Sequence, residues 1–263
     1  MAAIAVREER GRSAGRSLAI PAIRVAIVAA ALLLWEIAAR SGLFFEGVFP
    51  PLHLIALAAY SLLTSVEFYY NLWVTGYEVF WGLVIGGGIG LATGVMLGSS
   101  NFLGRAYEPL VYYVSPTPKI ILFPLAITWF GVDAGSKIGL GAIAAFFPVA
   151  LNVAAGVRNI NPIWKRVGRS FGVRWDQMLT KIYLPAINGS IVNAFRLGLA
   201  VAIISILLAE TKLSREGLGF LVSGAFRSYD MPTMYALLVV IFCIALAINN
   251  AFARASGGQK DVL

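Results

Sequence analysis

The chain has 263 residues, of which 59% are hydrophobic and only 13% are charged, and its mean hydropathy is +0.80. Because soluble domains average roughly 45–50% apolar and 25% charged residues, this composition excludes disorder, disfavours an ordinary soluble enzyme and indicates an all-α, polytopic transmembrane helical bundle. The net charge of +8 is then expected to reflect membrane topology rather than nucleic-acid binding.

The N-terminal region combines a basic arm, residues 1–24, with an apolar run over residues 25–39. This order is typical of a signal peptide, but Glu36 and Arg40 interrupt the cleavage zone, so we favour an uncleaved first span. Pro50-Pro51 prevents a continuous helix beyond it. The next segment, residues 52–66, is too short to span and is predicted to lie as a helix at the membrane interface.

The second predicted span, residues 72–98, carries glycine at every fourth position. This spacing places the glycines along one stripe of a helix, where small residues let two helices approach closely in lipid. A soluble helix would lose roughly 1 kcal/mol per glycine relative to alanine, which supports a membrane location. We interpret the stripe as a helix-packing surface rather than a ligand site. Its members are Gly82, Gly86, Gly90, Gly94 and Gly98.

The rest of the chain is predicted to contain four further spans. Residues 106–131 include four prolines, so we expect a short entry segment followed by a third span over about residues 120–130. Residues 210–232 are predicted as a loop. The other spans are expected at about residues 137–157, 190–209 and 233–253, which gives about six spans over residues 25–253 and a tail over residues 254–263.

Lysine and arginine are distributed unevenly between the two predicted faces of the membrane. With the N-terminus inside, 14 of the 21 Lys and Arg residues fall in cytoplasmic segments and five in outer loops, among them Lys137. Because cytoplasmic loops are enriched in Lys and Arg, the arm, the tail and the loop over residues 158–189 are all predicted to be cytoplasmic.

The loop over residues 158–189 is strongly basic, with only Asp176 opposing its lysines and arginines. Apolar residues recur at helical spacing on both sides of Gly172, which predicts two short amphipathic helices, the second ending at Pro185. Such helices suit insertion into a groove of a partner protein, and they suit anionic headgroups equally well. The basic residues are Arg158, Lys165, Arg166, Arg169, Arg174 and Lys181.

The spacing from Gly172 to Ile182 and Leu184-Pro185 resembles the signature loop of ABC-importer permeases, which reads EAA, three residues, G, nine residues, I, one residue, LP. The segments LLLWEIAARSGLF, LFPLAITWFGVDAGSK and AETKLSREGLGFLV resemble permeases of the nitrate/sulfonate/taurine type, and the resemblance extends over residues 30–253. The glutamate of EAA is replaced by Arg166 and its two alanines by Val167 and Gly168.

This resemblance implies a type I importer permease that forms the translocation path, is not an enzyme and binds no cofactor itself. The sequence has no GxxxxGK[ST] motif, so ATP and Mg would be bound by a separate ABC ATPase. The other implied partners are an extracytoplasmic binding protein, a second permease copy in a homodimer, and the lipid of a bacterial inner membrane. Gly172 is expected to form a turn that a side chain would obstruct. The residues implied in ATPase coupling are Arg169, Phe171, Gly172, Val173, Arg174, Trp175, Leu184 and Pro185.

A few polar residues lie inside the predicted spans, where ionisable groups are expensive and often functional. We expect Glu36, Glu78 and Glu210 to form ion pairs or to reach an interface. A sulfonate, nitrate or carboxylate solute would need cationic or amide donors along its path. The candidates are Asn152, Asn193 and Arg196.

Three other classes of protein compete with this interpretation. A secondary transporter or channel without an ATPase would need internal repeats or intramembrane charge pairs, and no clear repeat relates the two halves of the sequence. An enzyme or metal protein would need clustered ligands or catalytic groups, which one histidine, one cysteine and few acids do not supply. A structural membrane subunit would differ from a permease in not co-purifying with an ATPase.

Overall fold

The computed structural model describes residues 23–42 and 47–257, and within these ranges the chain is helical and contains no strand. Long apolar helices dominate, each long enough to cross the roughly 30 Å hydrocarbon core of a bilayer. This confirms the predicted all-α membrane bundle. The four long helices are α3 (Val66–Ser99), α6 (Ala134–Arg158), α10 (Asn188–Lys212) and α12 (Met231–Gly257).

The predicted first span and interfacial helix are joined by side-chain contacts. Helix α1 covers residues 23–40, and the short helix α2 covers Leu52–Leu63. Glu36 pairs with Arg40 and accepts a 2.9 Å hydrogen bond from the backbone N–H of Leu52. The Trp35 indole donates to the carbonyl of Pro50 at 3.1 Å. The end of α1 therefore holds the start of α2, because Glu36 satisfies a donor that the helix leaves free.

The proline-rich region forms a sharply bent helix pair. Helix α4 (Asn101–Val114) and the helical segment over residues 119–130, which ends in α5 (Phe123–Phe130), are inclined to each other by 88°. The eight residues of α5 are about 12 Å long, which is too short to cross a bilayer. The expected entry segment and the helix over about residues 120–130 are both present, separated by the prolines at 116 and 118, but the second helix is too short to cross a bilayer by itself.

Helices α3 and α6 pack with their backbones in contact along the glycine stripe. All five glycines are buried, and a Cβ atom added to Gly94 or Gly98 would lie 2.6 Å from a carbonyl oxygen of α6. A Cβ on Gly86 would overlap the backbone of Ala142, and one on Gly90 would lie 2.8 Å from the Phe146 oxygen. Gly82 is the loosest member, at 3.3 Å from Gly141. No side chain larger than hydrogen fits between the helices at the three closest positions.

The segment predicted as a loop over residues 210–232 contains a further helix, α11 (Leu218–Arg227). Leu218 of α11 packs in one apolar cluster with Phe68 of α3 and Leu237 of α12. The prediction missed α11 because its ten residues are too short for a span and carry no charged face that would mark an amphipathic helix.

Candidate functional site

The polar segment after α6 folds into an elbow of short helices, which we call the coupling segment (residues 159–187). It comprises α7 (Pro162–Ser170), α8 (Trp175–Met178), a π-helical turn (Leu179–Tyr183) and α9 (Leu184–Ala186). Asn161 caps α7 by accepting from the Ile163 N–H at 2.9 Å, and Pro162 occupies the first turn, where no backbone donor is needed.

Gly172 ends α7 in a Schellman motif. Its N–H donates to the Arg169 carbonyl at 3.0 Å, and the Val173 N–H donates to the Gly168 carbonyl at 3.1 Å. Gly172 has φ +64°, yet a Cβ atom there would meet nothing within 4 Å. The expected obstruction of a side chain is therefore wrong, because the left-handed backbone, rather than a lack of space, favours glycine.

Pro185 does not end the second helix of the elbow. It lies in the first turn of α9, where its ring is tolerated, and Ile187 alone separates the end of α9 from the start of α10. Pro185 is exposed and Leu184 is half-buried. The coupling segment is thus joined to α10 by an almost continuous helical path.

The exposed face of the coupling segment carries aromatic and basic side chains. Phe171 is 82% exposed and Trp175 57% exposed, the latter with its ring 5.7 Å from that of Tyr183. Val173 is half-buried and packs against the internal apolar cluster. Arg169 is exposed, and Arg174 pairs at 3.4 Å with Asp176 at the surface.

Lys165 fixes the coupling segment to the end of α6. Its ammonium donates to the Val157 carbonyl at 2.8 Å and lies 5.7 Å from the centre of the Tyr183 ring. Burial lowers the pKa of Lys165 below its ordinary value, and the nearby charge of Arg169 acts in the same direction. The cation is a second donor to the Val157 carbonyl in the last turn of α6, which also accepts from the Ile160 N–H.

The three residues predicted along a solute path lie in different surroundings. Arg196 of α10 donates from Nε to Asn249 of α12 at 2.7 Å, a partner that the sequence did not suggest. The amide of Asn152 donates to the Pro148 carbonyl one turn earlier in α6, at 2.8 Å. Asn193 is exposed on α10. The Asn152 amide therefore donates to the backbone of its own helix.

A buried polar cluster at the opposite end of α10 accepts hydrogen bonds from the N–H of Gly217, which precedes α11, and from the first two N–H groups of α11. The Gly217 N–H donates to Asn71 at 2.7 Å, the Leu218 N–H to the Thr75 hydroxyl at 2.8 Å, and the Gly219 N–H to Glu210 at 2.6 Å. The Thr75 hydroxyl in turn donates to Glu210 at 2.7 Å. These contacts satisfy donors that would otherwise be buried without partners.

Glu78 extends this cluster to α6 through a buried ion pair with Lys137. The Lys137 ammonium lies 3.2 Å from Glu78 Oε1, and both side chains are almost fully buried. The ion pair expected for Glu78 is therefore present. Lys137 was counted in an outer loop, but it lies in helix α6. Sequence reasoning could not pair them, because they lie 59 positions apart.

Comparison with known proteins gives a consistent picture. A family model described as "Binding-protein-dependent transport system inner membrane component" matches residues 86–255, which include the coupling segment. The aliphatic sulfonates transport permease protein SsuC of Bacillus subtilis (strain 168) is 30% identical over 253 residues, 95% of this chain and 89% of the relative. The taurine transport system permease protein TauC of Escherichia coli (strain K12) is 31% identical over 160 residues, 61% of this chain and 58% of the relative.

The fold is similar to that of a solved transporter. A chain of the MetNI methionine ABC transporter, in an inward-facing conformation, superposes with a TM-score of 0.62 at 22% identity. The match covers 75% of this chain and 95% of that chain. This likeness supports the type I importer fold.

Proposed function

Because the chain belongs to the family of binding-protein-dependent transport system inner membrane components, we propose that it forms the path of an ATP-driven importer for a small anionic solute of the sulfonate or taurine class. The names of the SsuC and TauC relatives support this solute class. The observation that carries the proposal is the coupling segment, which presents Phe171 and Trp175 on a basic surface between two long helices.

The energy for uptake comes from a separate subunit. The sequence lacks a P-loop motif, so ATP and Mg bind to a partner ABC ATPase. We assign the exposed face of the coupling segment as the surface that binds in a groove of the ATPase. Aromatic and arginine side chains contribute most of the binding energy at protein interfaces. The concentration of positive charges on this side supports a cytoplasmic location for it and for both termini.

The coupling segment transmits motion to the spans through two attachments. Lys165 holds it to the end of α6, and the helical path through Pro185 joins it to α10. When ATP binding draws two ATPases together, each elbow moves as a lever and tilts α6 and α10 of its own permease copy. The bundle alternates between inward-open and outward-open states, and ATP favours one because the closed ATPase pair binds that state better.

Two further partners complete the transporter. A second copy of the chain forms the other half of the path as a homodimer, and an extracytoplasmic binding protein delivers the solute at the end opposite the coupling segment. Arg196 is the cation of α10 that we assign to the solute path, where Asn249 orients its guanidinium.

Uptake into proteoliposomes tests the transport function. The chain reconstituted with its ATPase and binding protein is expected to accumulate radiolabelled taurine or an alkanesulfonate only when ATP and the loaded binding protein are both supplied. Uptake of either solute without the ATPase would identify a secondary transporter and contradict the proposal.

Phe171→Ala tests the assigned ATPase surface. Truncating an aromatic anchor typically costs about 2 kcal/mol, so ATPase association with the membrane-embedded chain should weaken at least roughly tenfold. Gly172→Asp should abolish solute-stimulated ATP hydrolysis while the chain stays in the membrane. Phe102→Ala, which removes an equally exposed phenylalanine from α4, is the control and should leave ATPase binding unchanged. Normal stimulated hydrolysis in both variants of the elbow would refute the assignment.

A further inference from the structure

The bend between α4 and α5 places a lysine near the middle of the membrane. The Lys119 ammonium donates to the Ser115 carbonyl and lies 4.7 Å from the centre of the Phe147 ring of α6. Phe147 is the fourteenth of the 25 residues of α6, about 20 Å from one end of this helix and about 17 Å from the other. The half-buried Lys119 therefore lies near the bilayer centre, where a cation is costly.

Lys119 differs from the buried Lys137 in having no acidic partner. Lys137 pairs with Glu78, whereas no carboxylate of the described residues forms an ion pair with Lys119. The Phe147 ring attracts the Lys119 cation but does not neutralise it. The Ser115 carbonyl occupies one of the three N–H donors of the ammonium, so two donors remain for water or for an anion.

The backbone just before Lys119 is exposed at the same depth. Residues 115–118 are not helical, and Pro116, Thr117 and Pro118 are exposed. Lipid tails cannot donate hydrogen bonds to the free carbonyls of such a segment, so it must face water or a protein surface. A hydrated path satisfies this backbone and the two remaining donors of Lys119 together, whereas an apolar protein surface satisfies neither.

We propose that Lys119 lines the solute path near the bilayer centre and pairs with the sulfonate or carboxylate group of the passing solute. This inference rests on the proposed function, because it names a contact for the anionic solute class assigned above. The ammonium offers charge-assisted hydrogen bonds to an oxyanion, while the Ser115 carbonyl and the Phe147 ring hold it in position.

Chemical restoration of the charge tests this role. In a Cys243→Ser background, which removes the single cysteine of the chain, Lys119→Cys should lower the initial rate of taurine or alkanesulfonate uptake at least roughly tenfold, as expected for losing a hydrogen bond to a charged group. Treatment with 2-aminoethyl methanethiosulfonate, which attaches an ammonium one atom farther out than that of lysine, should restore most of the uptake. The neutral reagent methyl methanethiosulfonate should not.

Two controls accompany this experiment. The Cys243→Ser parent, treated with the same reagents, should keep its uptake rate. ATP hydrolysis stimulated by the loaded binding protein should persist in untreated Lys119→Cys, because the substitution removes a solute contact and leaves the coupling segment intact. A loss of stimulated hydrolysis that the ammonium reagent does not reverse would make Lys119 a structural residue and overturn the inference.

Access of an anion from water to position 119 is a measurement that does not require transport. The reagent 2-sulfonatoethyl methanethiosulfonate is itself a sulfonate, and it should modify Lys119→Cys in the assembled transporter. Ile89→Cys is the matched control and should stay unmodified. Ile89 is 56% exposed at the same depth, beside the contact of Gly90 with Phe146 of α6, but it lies in a stretch of α3 without charged residues.

The outcomes separate this inference from the proposed function. A parent that accumulates neither solute contradicts the proposed function, and labelling at position 119 still shows whether an anion can reach the bend. A parent that transports, combined with unchanged uptake in Lys119→Cys, equal restoration by the charged and neutral reagents, or labelling no faster at position 119 than at position 89, overturns the inference alone.

Discussion

Two residues in left-handed conformations end helices of this protein in the same way. Gly172 ends α7 and Tyr229 ends α11, and each belongs to a Schellman motif. In the second motif the Asp230 N–H donates to Ala225 and the Tyr229 N–H to Phe226, at 3.0 and 3.2 Å. Tyr229 has φ +57° and is 81% exposed. A tyrosine here carries strain that a glycine avoids, and almost no packing offsets it.

Replacing Tyr229 with glycine should therefore stabilise the protein. We expect the free energy of unfolding to rise by about 1 kcal/mol, measured by thermal unfolding in detergent, because glycine adopts positive φ without steric cost. Gly172→Ala is the reciprocal control and should lose a similar amount. A lower melting temperature for Tyr229→Gly would show that the exposed ring contributes contacts of its own.

At the scale of helices, the glycines of α3 differ in how closely they approach α6. Gly86 and Gly88 are two positions apart on the same helix, but Gly86 faces the backbone of Ala142 and Gly88 faces open space. Gly86→Ala should lower the free energy of unfolding by about 2–3 kcal/mol, since the backbones must separate. Gly88→Ala should leave it unchanged or raise it by about 0.5–1 kcal/mol.

Apparent melting temperatures of the two alanine variants give the comparison. Equal effects would mean that the helices can move apart without cost, and the stripe would then not determine their distance.

Helices marked by a pattern in their own sequence could be predicted. A helix that depends on contacts with distant residues could not. Glycines at every fourth position over seventeen residues mark one face of α3, and this face could be identified from the sequence alone. The bend between α4 and α5 follows from prolines, but proline alone does not say whether a helix bends or stops. Helix α11 depends on Asn71 and Thr75, which lie 146 and 143 positions before the N–H groups they cap. No local pattern encodes such a pairing.

At the scale of the molecule, the coupling segment and the α11–α12 turn lie at opposite ends of α10. This helix has 25 residues and a length of about 37 Å, enough to separate its ends by a bilayer. The charge distribution then predicts that Phe171 faces the cytoplasm and Tyr229 the outside. Val173, one of the residues implied in ATPase coupling, is half-buried against its neighbours, and the sequence alone does not show how far each of these side chains is exposed.

Cysteine labelling measures this orientation. In a Cys243→Ser background, Tyr229→Cys should react with a membrane-impermeant maleimide in intact spheroplasts, and Phe171→Cys only after permeabilisation. The reverse result would contradict the orientation, and labelling of both in intact spheroplasts would contradict the separation of the two ends.

The close contact between the backbones of α3 and α6 also bears on how readily water and ions could cross the membrane along these helices. From Gly82 to Gly98 the stripe extends for about 24 Å, most of the hydrocarbon thickness, and at its closest positions not even a methyl group fits. A water file, which needs polar partners and a wider gap, has no room there. We therefore expect no leak of protons or ions along the contact between α3 and α6.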